Sequence, residues 1–315
     1  MSHHRRFASA LLALAACAIL AGPAPAADNV RYVSITGSNA NPCTLAQPCR
    51  TMQRGINVTP PGGELRVLDS GDYGPNAVIK KSMTLSGNGN TIFVANGVVV
   101  DRANAVVALR GLTLDGQGTI QDGIRILLAT AVHIERCVIH GFTIAGIRNG
   151  ESVEVFVIDS VSRDNGFGVL VAGAGQPRTT IDNSRFENNG TGVSIQSGRA
   201  TISRSIASGN GVTGILALNA GVTVVVRETT AAYNGGDGFR ALNGTMTVDS
   251  SVAYGNGGNG LGAIGGLARI SNSTFTDNAV GINNTAGGTL QTRGNNTVEG
   301  NTTNTNGTLT PIGGV

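Results

Sequence analysis

The chain has 315 residues, of which 47 are glycine, none is tryptophan and only 13% are charged. Glycine does not recur at every third position, and regular Val/Ile/Leu runs separate the glycine-rich stretches, so the composition fits neither a collagen helix nor a disordered chain. The formal net charge is +3, and no dense run of Lys and Arg occurs, which argues against a nucleic acid as partner.

Residues 1–26 are predicted to be a signal peptide. A basic start is followed by an apolar stretch from Leu11 to Ala21 and by the small-residue cleavage site Ala24-Pro25-Ala26. The sequence ending at Cys17 also resembles a bacterial lipoprotein cleavage box, so a lipidated Cys17 is the alternative. The apolar stretch is too short for a stable transmembrane helix, and we expect a secreted or periplasmic protein.

Residues 27–63 are predicted to form an N-terminal segment that caps the rest of the chain. Cys43 and Cys49 lie in one polar loop of an exported chain, where a disulfide is the expected state. A metal site would need further Cys or His ligands nearby, and the sequence provides none. From Pro48 to Val58 the apolar residues share one face, which predicts a short amphipathic helix covering the open end of a β-structure.

Residues 64–315 are predicted to form a repetitive all-β structure. Each repeat runs from an apolar strand through a small residue and an Asn-Gly corner to a second apolar strand, as between Thr180 and Val193. The glycine before the second strand recurs every 21 to 24 residues, at Gly123, Gly146, Gly168, Gly192, Gly214, Gly238, Gly260 and Gly281. Two or three short strands per repeat are too few for a propeller blade, so each repeat is interpreted as one coil of a parallel β-helix.

Equivalent positions of successive coils should stack about 4.8 Å apart, in columns along the axis. One column holds small residues, which we expect to point inward: Cys137, Ser160, Ser184, Ser205, Thr229, Ser251 and Ser273. Five residues further on comes a column of asparagines: Asn165, Asn189, Asn210, Asn234, Asn256, Asn278 and Asn301. Their amides are predicted to hydrogen-bond to one another in left-handed turns, and Cys137 to be a buried thiol.

The repeat resembles that of the right-handed parallel β-helices of the pectate-lyase-like superfamily. The segment from Tyr32 to Gln53 is similar to the N-terminal motif of many secreted members, although Cys43 and Cys49 stand where Gly and Phe are commoner. The resemblance implies a right-handed parallel β-helix over essentially the whole mature chain. It implies no particular activity, because the motifs of polygalacturonases, pectate lyases and mannuronan epimerases do not occur in this sequence.

The most acid–base-like group lies three residues past the small-residue column. Here His140, Arg163 and Glu187 should lie on adjacent coils, with Asp164 alongside, and histidine titrates near neutral pH. These four residues are the candidate catalytic set, although a solvated histidine among polar neighbours is the more common interpretation.

A second pair of carboxylates, Asp159 and Asp182, lies on adjacent coils, at a separation compatible with the ~5–10 Å that glycoside cleavage requires. The same columns place Arg204 beside Glu228 and Arg136 beside Asp159, which predicts ordinary ion pairs on a solvated face. Asp159 and Asp182 are therefore candidate substrate-binding residues.

The few aromatic side chains provide the last candidates. Tyr233 and Tyr254 should lie one coil apart in the same corner, where they could stack on a sugar. The sequence thus predicts a secreted, non-catalytic β-helix that binds a polysaccharide or belongs to the cell envelope. The alternative is a divergent polysaccharide lyase, glycoside hydrolase or epimerase acting on acidic glycans. No cofactor is indicated, and Ca²⁺ is expected only for a lyase.

Overall fold

The computed structural model describes residues 29–313, which form one short helix and 35 strands. The predicted signal peptide and Cys17 lie outside these residues. None of the described helical segments is long and apolar enough to cross a bilayer.

The first strand is β1 (Val30–Val33), and the helix, α1, spans Met52–Val58. The next strands are β2 (Glu64–Val67), β3 (Gly71–Asp72), β4 (Ala77–Ile79), β5 (Met83–Ser86), β6 (Thr91–Phe93), β7 (Val98–Asp101), β8 (Val106–Arg110), β9 (Thr113–Asp115), β10 (Asp122–Leu128), β11 (Ala131–Glu135) and β12 (Val138–His140). The middle coils contain β13 (Ala145–Asn149), β14 (Glu154–Ile158), β15 (Val161–Arg163), β16 (Phe167–Val171), β17 (Arg178–Asp182), β18 (Arg185–Glu187), β19 (Thr191–Ile195), β20 (Arg199–Ser203), β21 (Ile206–Ser208), β22 (Thr213–Leu218), β23 (Thr223–Arg227) and β24 (Thr230–Ala232). The last coils contain β25 (Phe239–Leu242), β26 (Thr245–Asp249), β27 (Val252–Tyr254), β28 (Asn259–Ile264), β29 (Leu267–Ser271), β30 (Thr274–Thr276), β31 (Val280–Thr285), β32 (Thr289–Thr292), β33 (Thr297–Glu299), β34 (Thr303–Asn306) and β35 (Leu309–Pro311).

The strands form three parallel sheets that run the length of the molecule. Sheet A has 13 strands and contains β1, β2 and then every third strand from β5 to β35. Sheet B has 11 strands, from β3 to β33, and sheet C has 11, from β4 to β34. The chain passes through one strand of each sheet per turn and completes about 11 turns of a right-handed solenoid. The predicted fold class is confirmed.

The core is built from stacked apolar columns, because equivalent residues of successive strands are in register. None of the residues in one such column of sheet A is more than 2% exposed: Leu109, Ile134, Val157, Ile181, Ile202, Val226, Val248 and Ile270. Each buried aliphatic side chain stabilises the fold by about 1.5–3 kcal/mol relative to its exposed state. The two-residue alternation along each strand leaves the intervening side chains on the outer face.

Two polar ladders line the corners of the coil. In the asparagine ladder, each Nδ2 donates to Oδ1 of the next coil, as from Asn210 to Asn234 at 2.9 Å, and the same Oδ1 accepts the Asn210 backbone N–H at 3.1 Å. In the small-residue ladder, each backbone N–H donates to the next hydroxyl, as from Ser184 to Ser205 at 3.2 Å. The predicted amide–amide hydrogen bonds of the asparagine column are confirmed, and so is the burial of the small-residue column, including Cys137.

The left-handed turn at the asparagine corner lies one residue earlier than predicted. The asparagines themselves have no positive φ, and the residue before each of the seven carries it: Asp164, Asn188, Gly209, Tyr233, Gly255, Asp277 and Gly300, with φ between 54° and 70°. The asparagine side chain must point into the ladder, so the preceding residue makes the bend. A second left-handed column precedes the small residues, for example at Arg204 with φ 47°.

The predicted short N-terminal helix is present, but α1 begins at Met52 and not at Pro48. Cys49 has an extended backbone instead, because its N–H donates a hydrogen bond to the carbonyl of Tyr32 in β1. From α1, the Gln53 amide accepts the Val78 N–H at 2.8 Å and donates to the Val78 carbonyl at 3.2 Å. The side chain thus replaces a missing strand at the edge of sheet C. The Cys43–Cys49 disulfide is also present, with a Cα–Cα distance of 4.7 Å.

Candidate functional site

The predicted catalytic residues lie together on sheet B. His140, Arg163 and Glu187 are register partners at the ends of β12, β15 and β18, and Asp164 follows Arg163. In-register stacking of one outward position therefore brings the four residues to one surface.

Each charged member of this group has a close partner. The Arg163 guanidinium donates to Asp164, and Glu187 accepts from Arg185 Nε at 2.8 Å. His140 Nδ1 lies 3.7 Å from Asp115 Oδ1 on the preceding coil. The arrangement is therefore that of paired charges on a half-exposed face.

Asp159 and Asp182 are brought to adjacent coils, but they face different partners. Asp159 accepts from Asn183 Nδ2 at 2.6 Å, whereas Asp182 accepts from Ser203 Oγ at 2.7 Å and from Arg204. A shallow cavity of about 270 Å³ at this corner is lined by Asp159, Asn183 and Arg204, among others.

The expected pairing of Arg204 with Glu228 is wrong. Arg204 reaches back to Asp182 on the preceding coil. Within residues 29–313, Arg136 forms no ion pair with Asp159 either. The physical reason is that this column is left-handed in φ, so its side chains do not project in the way that strand residues do.

Tyr233 and Tyr254 form an edge-to-face pair with ring centroids 5.1 Å apart, as expected for one corner of adjacent coils. Tyr233 is 61% exposed and lies over Gly255, the equivalent position one coil on. The nearby Tyr233 hydroxyl raises the pKa of the Tyr254 hydroxyl. The pair provides an exposed aromatic surface, which is where a sugar ring could stack.

A cluster of arginines near the end of sheet A was missed by the sequence reasoning. Arg227, Arg269 and Arg293 line a groove of about 320 Å³ together with Asp249 and Asn272. Within residues 29–313, none of the three arginines takes part in an ion pair. Arg269 Nε donates to Gln291 at 2.9 Å, and that bond leaves its other donors available.

The one carboxylate in this groove is already engaged. Asp249 Oδ1 accepts from Ser271 Oγ at 2.6 Å and from Asn272 Nδ2 at 3.0 Å, and these hydrogen bonds lower the pKa of Asp249. The groove therefore has an excess of positive charge. Arg227 and Asp249 are register partners and so belong to the same column of stacked residues. Arg269 pairs with Thr247 and belongs to a different column, two residues earlier along the strand. The cluster therefore cannot be recognised by following a single column in the sequence.

The part of the chain that the structure describes contains no group of three or more His, Cys, Asp or Glu side chains that could hold a metal ion.

Comparison with known proteins identifies the architecture. A family model described as the right-handed β-helix region matches residues 96–225 and 149–303, together more than half of the chain. No curated protein sequence matches this chain.

Several solved structures share the fold. The A-module of the mannuronan C-5 epimerase AlgE4 from Azotobacter vinelandii superposes with a TM-score of 0.62 at 15% identity, over 90% of this chain and all of that one. The periplasmic alginate epimerase AlgG gives 0.54 at 12% identity, over 80% and 73% of the two chains. Pectate lyase Pel9A gives 0.50 at 15% identity, over 84% and 74%. At such identities the likeness concerns the fold.

Proposed function

The chain belongs to the right-handed β-helix family, and on that basis we propose that it binds an acidic polysaccharide on the outer face of sheet A without cleaving it. The observation that carries this proposal is the groove lined by Arg227, Arg269 and Arg293, which form no ion pair among residues 29–313. Guanidinium groups bind carboxylates through paired N–H···O bonds. Arg269 lies two coils after Arg227 and one coil before Arg293, so the three side chains together suit a polymer that carries several carboxylates.

The structural neighbours support this ligand class. The three described above are named as enzymes of mannuronan, alginate and pectate. The Cys43–Cys49 disulfide fits an exported protein, which would meet such polymers outside the cytoplasm.

The non-catalytic part of the proposal rests on the candidate catalytic set. Glu187 and Asp164 each accept from an arginine, and His140 lies near Asp115. General acid–base catalysis needs a group that is free to exchange a proton with the substrate.

A divergent lyase, hydrolase or epimerase is the second candidate. It is favoured by the stacking of His140, Arg163 and Glu187 on three consecutive strands of sheet B. The lyase form would require Ca²⁺, so the assays below are run with and without calcium.

The proposal is tested by titrating the purified mature protein with polygalacturonate, alginate and a neutral glucan in a calorimeter, with and without calcium, while product formation is followed in parallel. We expect the acidic polymers to bind, the neutral one to bind at least ~10-fold more weakly, and no products to form. The triple variant Arg227→Ala, Arg269→Ala, Arg293→Ala should weaken binding of the acidic polymers by about 10-fold or more.

A matched control removes three exposed arginines that lie on earlier coils, outside the groove: Arg136→Ala, Arg178→Ala and Arg199→Ala. It changes the net charge equally, so a loss of binding confined to the first triple variant locates the site. If both triple variants lose binding affinity equally, the loss is explained by the change in net charge, and the proposed site is contradicted. Products that disappear in His140→Ala would establish the enzyme alternative instead.

A further inference from the structure

Sheet C has a second, larger groove at its N-terminal end. Two adjacent cavities of about 580 and 500 Å³ share the lining residues Asn76, Val78 and Lys80. Together they extend from α1 across β4 and β7 to β10. This surface lies on a different face from the arginine groove of sheet A.

Asp122, at the start of β10, is the unusual residue of this groove. It is only 5% exposed, and its Oδ1 is buried without a hydrogen-bond partner among the described residues. Oδ2 lies 3.5 Å from Arg148 Nη1 on the next coil. Burial of a carboxylate with one oxygen unsatisfied costs free energy, and here burial raises the pKa of Asp122 against the opposing effect of Arg148 and Arg125.

The fold does not require a carboxylate at this position. The register partner of Asp122 on the next coil is Ala145, and beyond it come Phe167 and Thr191. The position therefore tolerates neutral side chains in a β-helix of the same geometry.

Asp237 provides an internal comparison, because it lies two residues before β25 of sheet C, at the position equivalent to Asp122, and is 6% exposed. Its Oδ1 accepts both the backbone N–H of Asn259 at 2.8 Å and the Asn259 side chain at 2.7 Å. A buried aspartate of this solenoid can therefore be satisfied by its neighbours. Asp122 is not, and an unsatisfied buried polar group calls for an explanation outside the packed fold.

The surroundings of Asp122 are those of a polar binding groove with an apolar floor. Val78 and Val99 are register partners on the outer face of sheet C, and Arg125 is the next residue in that column. Lys80 lies at one side, 3.9 Å from Asp101, and Gln121 flanks Asp122. The groove thus combines hydrogen-bonding groups with the cations Lys80, Lys81 and Arg125 and the carboxylates Asp101 and Asp122.

We propose that this groove binds a short acidic saccharide, in which Asp122 accepts a hydrogen bond from a sugar hydroxyl while Lys80 and Arg125 contact the carboxylate of the sugar. Rotation about the Cβ–Cγ bond of aspartate is soft, so either oxygen of Asp122 can turn toward the ligand. The ligand class rests on the proposed function, but the site is separate from the sheet A groove. The molecule then holds acidic glycan on two faces.

The test is calorimetry on the full mature chain with tetragalacturonate and tetramannuronate, and with cellotetraose as the neutral probe. The wild-type protein should bind an acidic tetrasaccharide at two sites. Asp122→Asn and the double variant Lys80→Ala, Arg125→Ala should each weaken one of these sites by about 10-fold or more, and leave the other unchanged. Asp237→Asn is the matched control, since it changes a satisfied aspartate and should leave both sites intact.

The outcomes separate the two proposals. Loss of one site in the Asp122 and Lys80/Arg125 variants, with the other site lost in the sheet A triple variant, supports both. A single site that depends only on Arg227, Arg269 and Arg293 overturns the sheet C groove. A single site that depends only on Asp122, Lys80 and Arg125 supports the groove and contradicts the proposed sheet A site. Equal binding of cellotetraose would overturn the role of the two cations, and no binding at all would overturn both proposals.

Asp122→Asn removes a charge and keeps the shape, so circular dichroism should show the wild-type fold. If this variant nevertheless unfolds, the exposed Lys80/Arg125 variant decides the question.

Discussion

The Asn210 side chain donates to Oδ1 of Asn234 over 2.9 Å, and the same oxygen accepts the Asn210 backbone N–H. Asn234 in turn donates to the Ala207 carbonyl at 3.1 Å and to Asn256 at 2.8 Å. One buried amide therefore satisfies groups on three coils. Its removal leaves several of them without partners.

Asn234→Ala is accordingly expected to lower the free energy of unfolding by about 2–4 kcal/mol, since each unsatisfied buried polar group costs about 1–3 kcal/mol. Asn301→Ala, at the solvated end of the ladder, should cost less than ~1 kcal/mol. Urea midpoints of the two variants measure the difference. Equal midpoints would show that the ladder is not a source of stability.

Gly192 belongs to the glycine column and has no room for a side chain. A Cβ there would lie 2.5 Å from the carbonyl oxygen of Gly214 on the next coil. Gly192→Ala is therefore expected to destabilise the protein by about 2–3 kcal/mol. Gly150→Ala is the control, because its Cβ meets nothing closer than 3.8 Å and should change stability by less than ~0.5 kcal/mol. Thermal denaturation compares them, and a tolerated Gly192→Ala would contradict the steric explanation.

Tyr233 adopts φ 55°, where the equivalent residues of the adjacent coils are Gly209 and Gly255. A left-handed conformation costs a non-glycine residue about 1–2 kcal/mol. Tyr233→Gly should therefore be more stable than Tyr233→Ala by about 1 kcal/mol, the reverse of the order inside an ordinary strand. Both variants lose the ring equally, so their urea midpoints isolate the backbone effect. A more stable alanine variant would rule it out.

Cys137 is buried in the small-residue ladder, and burial raises the pKa of its thiol to about 11. At pH 8 only about one thiol in a thousand is then ionised, and the thiolate is the reactive form. Iodoacetamide should not modify Cys137 in the folded protein and should do so in urea, as mass spectrometry can show. Rapid modification without denaturant would place the thiol at the surface. Cys137→Ser, which matches Ser160 and Ser184, should keep the fold.

Stability should depend on pH through Asp122. Its raised pKa means that the folded protein holds this proton more tightly than the unfolded chain, so the stability contributed by the protonated form is lost as pH rises above the ordinary aspartate range. Arg125 on its own strand and Arg148 on β13 oppose the shift, and Lys80 and Asp101 line the same groove. Asp122→Asn should match the wild type near pH 3.5 and exceed it in melting temperature at pH 7. A wild-type protein that is more stable at pH 7 would contradict the raised pKa.

Much of the fold follows from periodicity, because a β-helix repeats its geometry at each coil. The spacing of Gly192, Gly214 and Gly238 predicts the coil, and the asparagines five residues past the small column predict the ladder. The residue with positive φ at the asparagine corner lies one position before the predicted one, although the glycines at 209 and 255 indicate its place. The start of α1 was missed because Cys49 pairs with Tyr32, a long-range contact that local periodicity does not contain.

The candidate site was less predictable, because it depends on side-chain directions. Stacking of His140 on Arg163 follows from counting residues. The pairing of Arg204 with Asp182, and not with Glu228, cannot be obtained by counting, because the direction of the Arg204 side chain depends on its positive φ. Asp122 Oδ1 has no hydrogen-bond partner among the described residues, and this likewise depends on how deeply the side chain is buried and on what packs around it. Periodicity shows which residues are neighbours, and coordinates are needed to show which of them lack a partner.

Because every coil hydrogen-bonds only to the coil before and after it, the solenoid can grow or shrink by whole coils without changing the geometry of the others. Duplication of a segment such as 213–236 would add one layer of about 4.8 Å and one further set of outward side chains. A polymer lying along the axis would then meet more contacts of the same spacing. The length of glycan that the protein can contact is thus set by the number of coils, and it changes by one coil at a time.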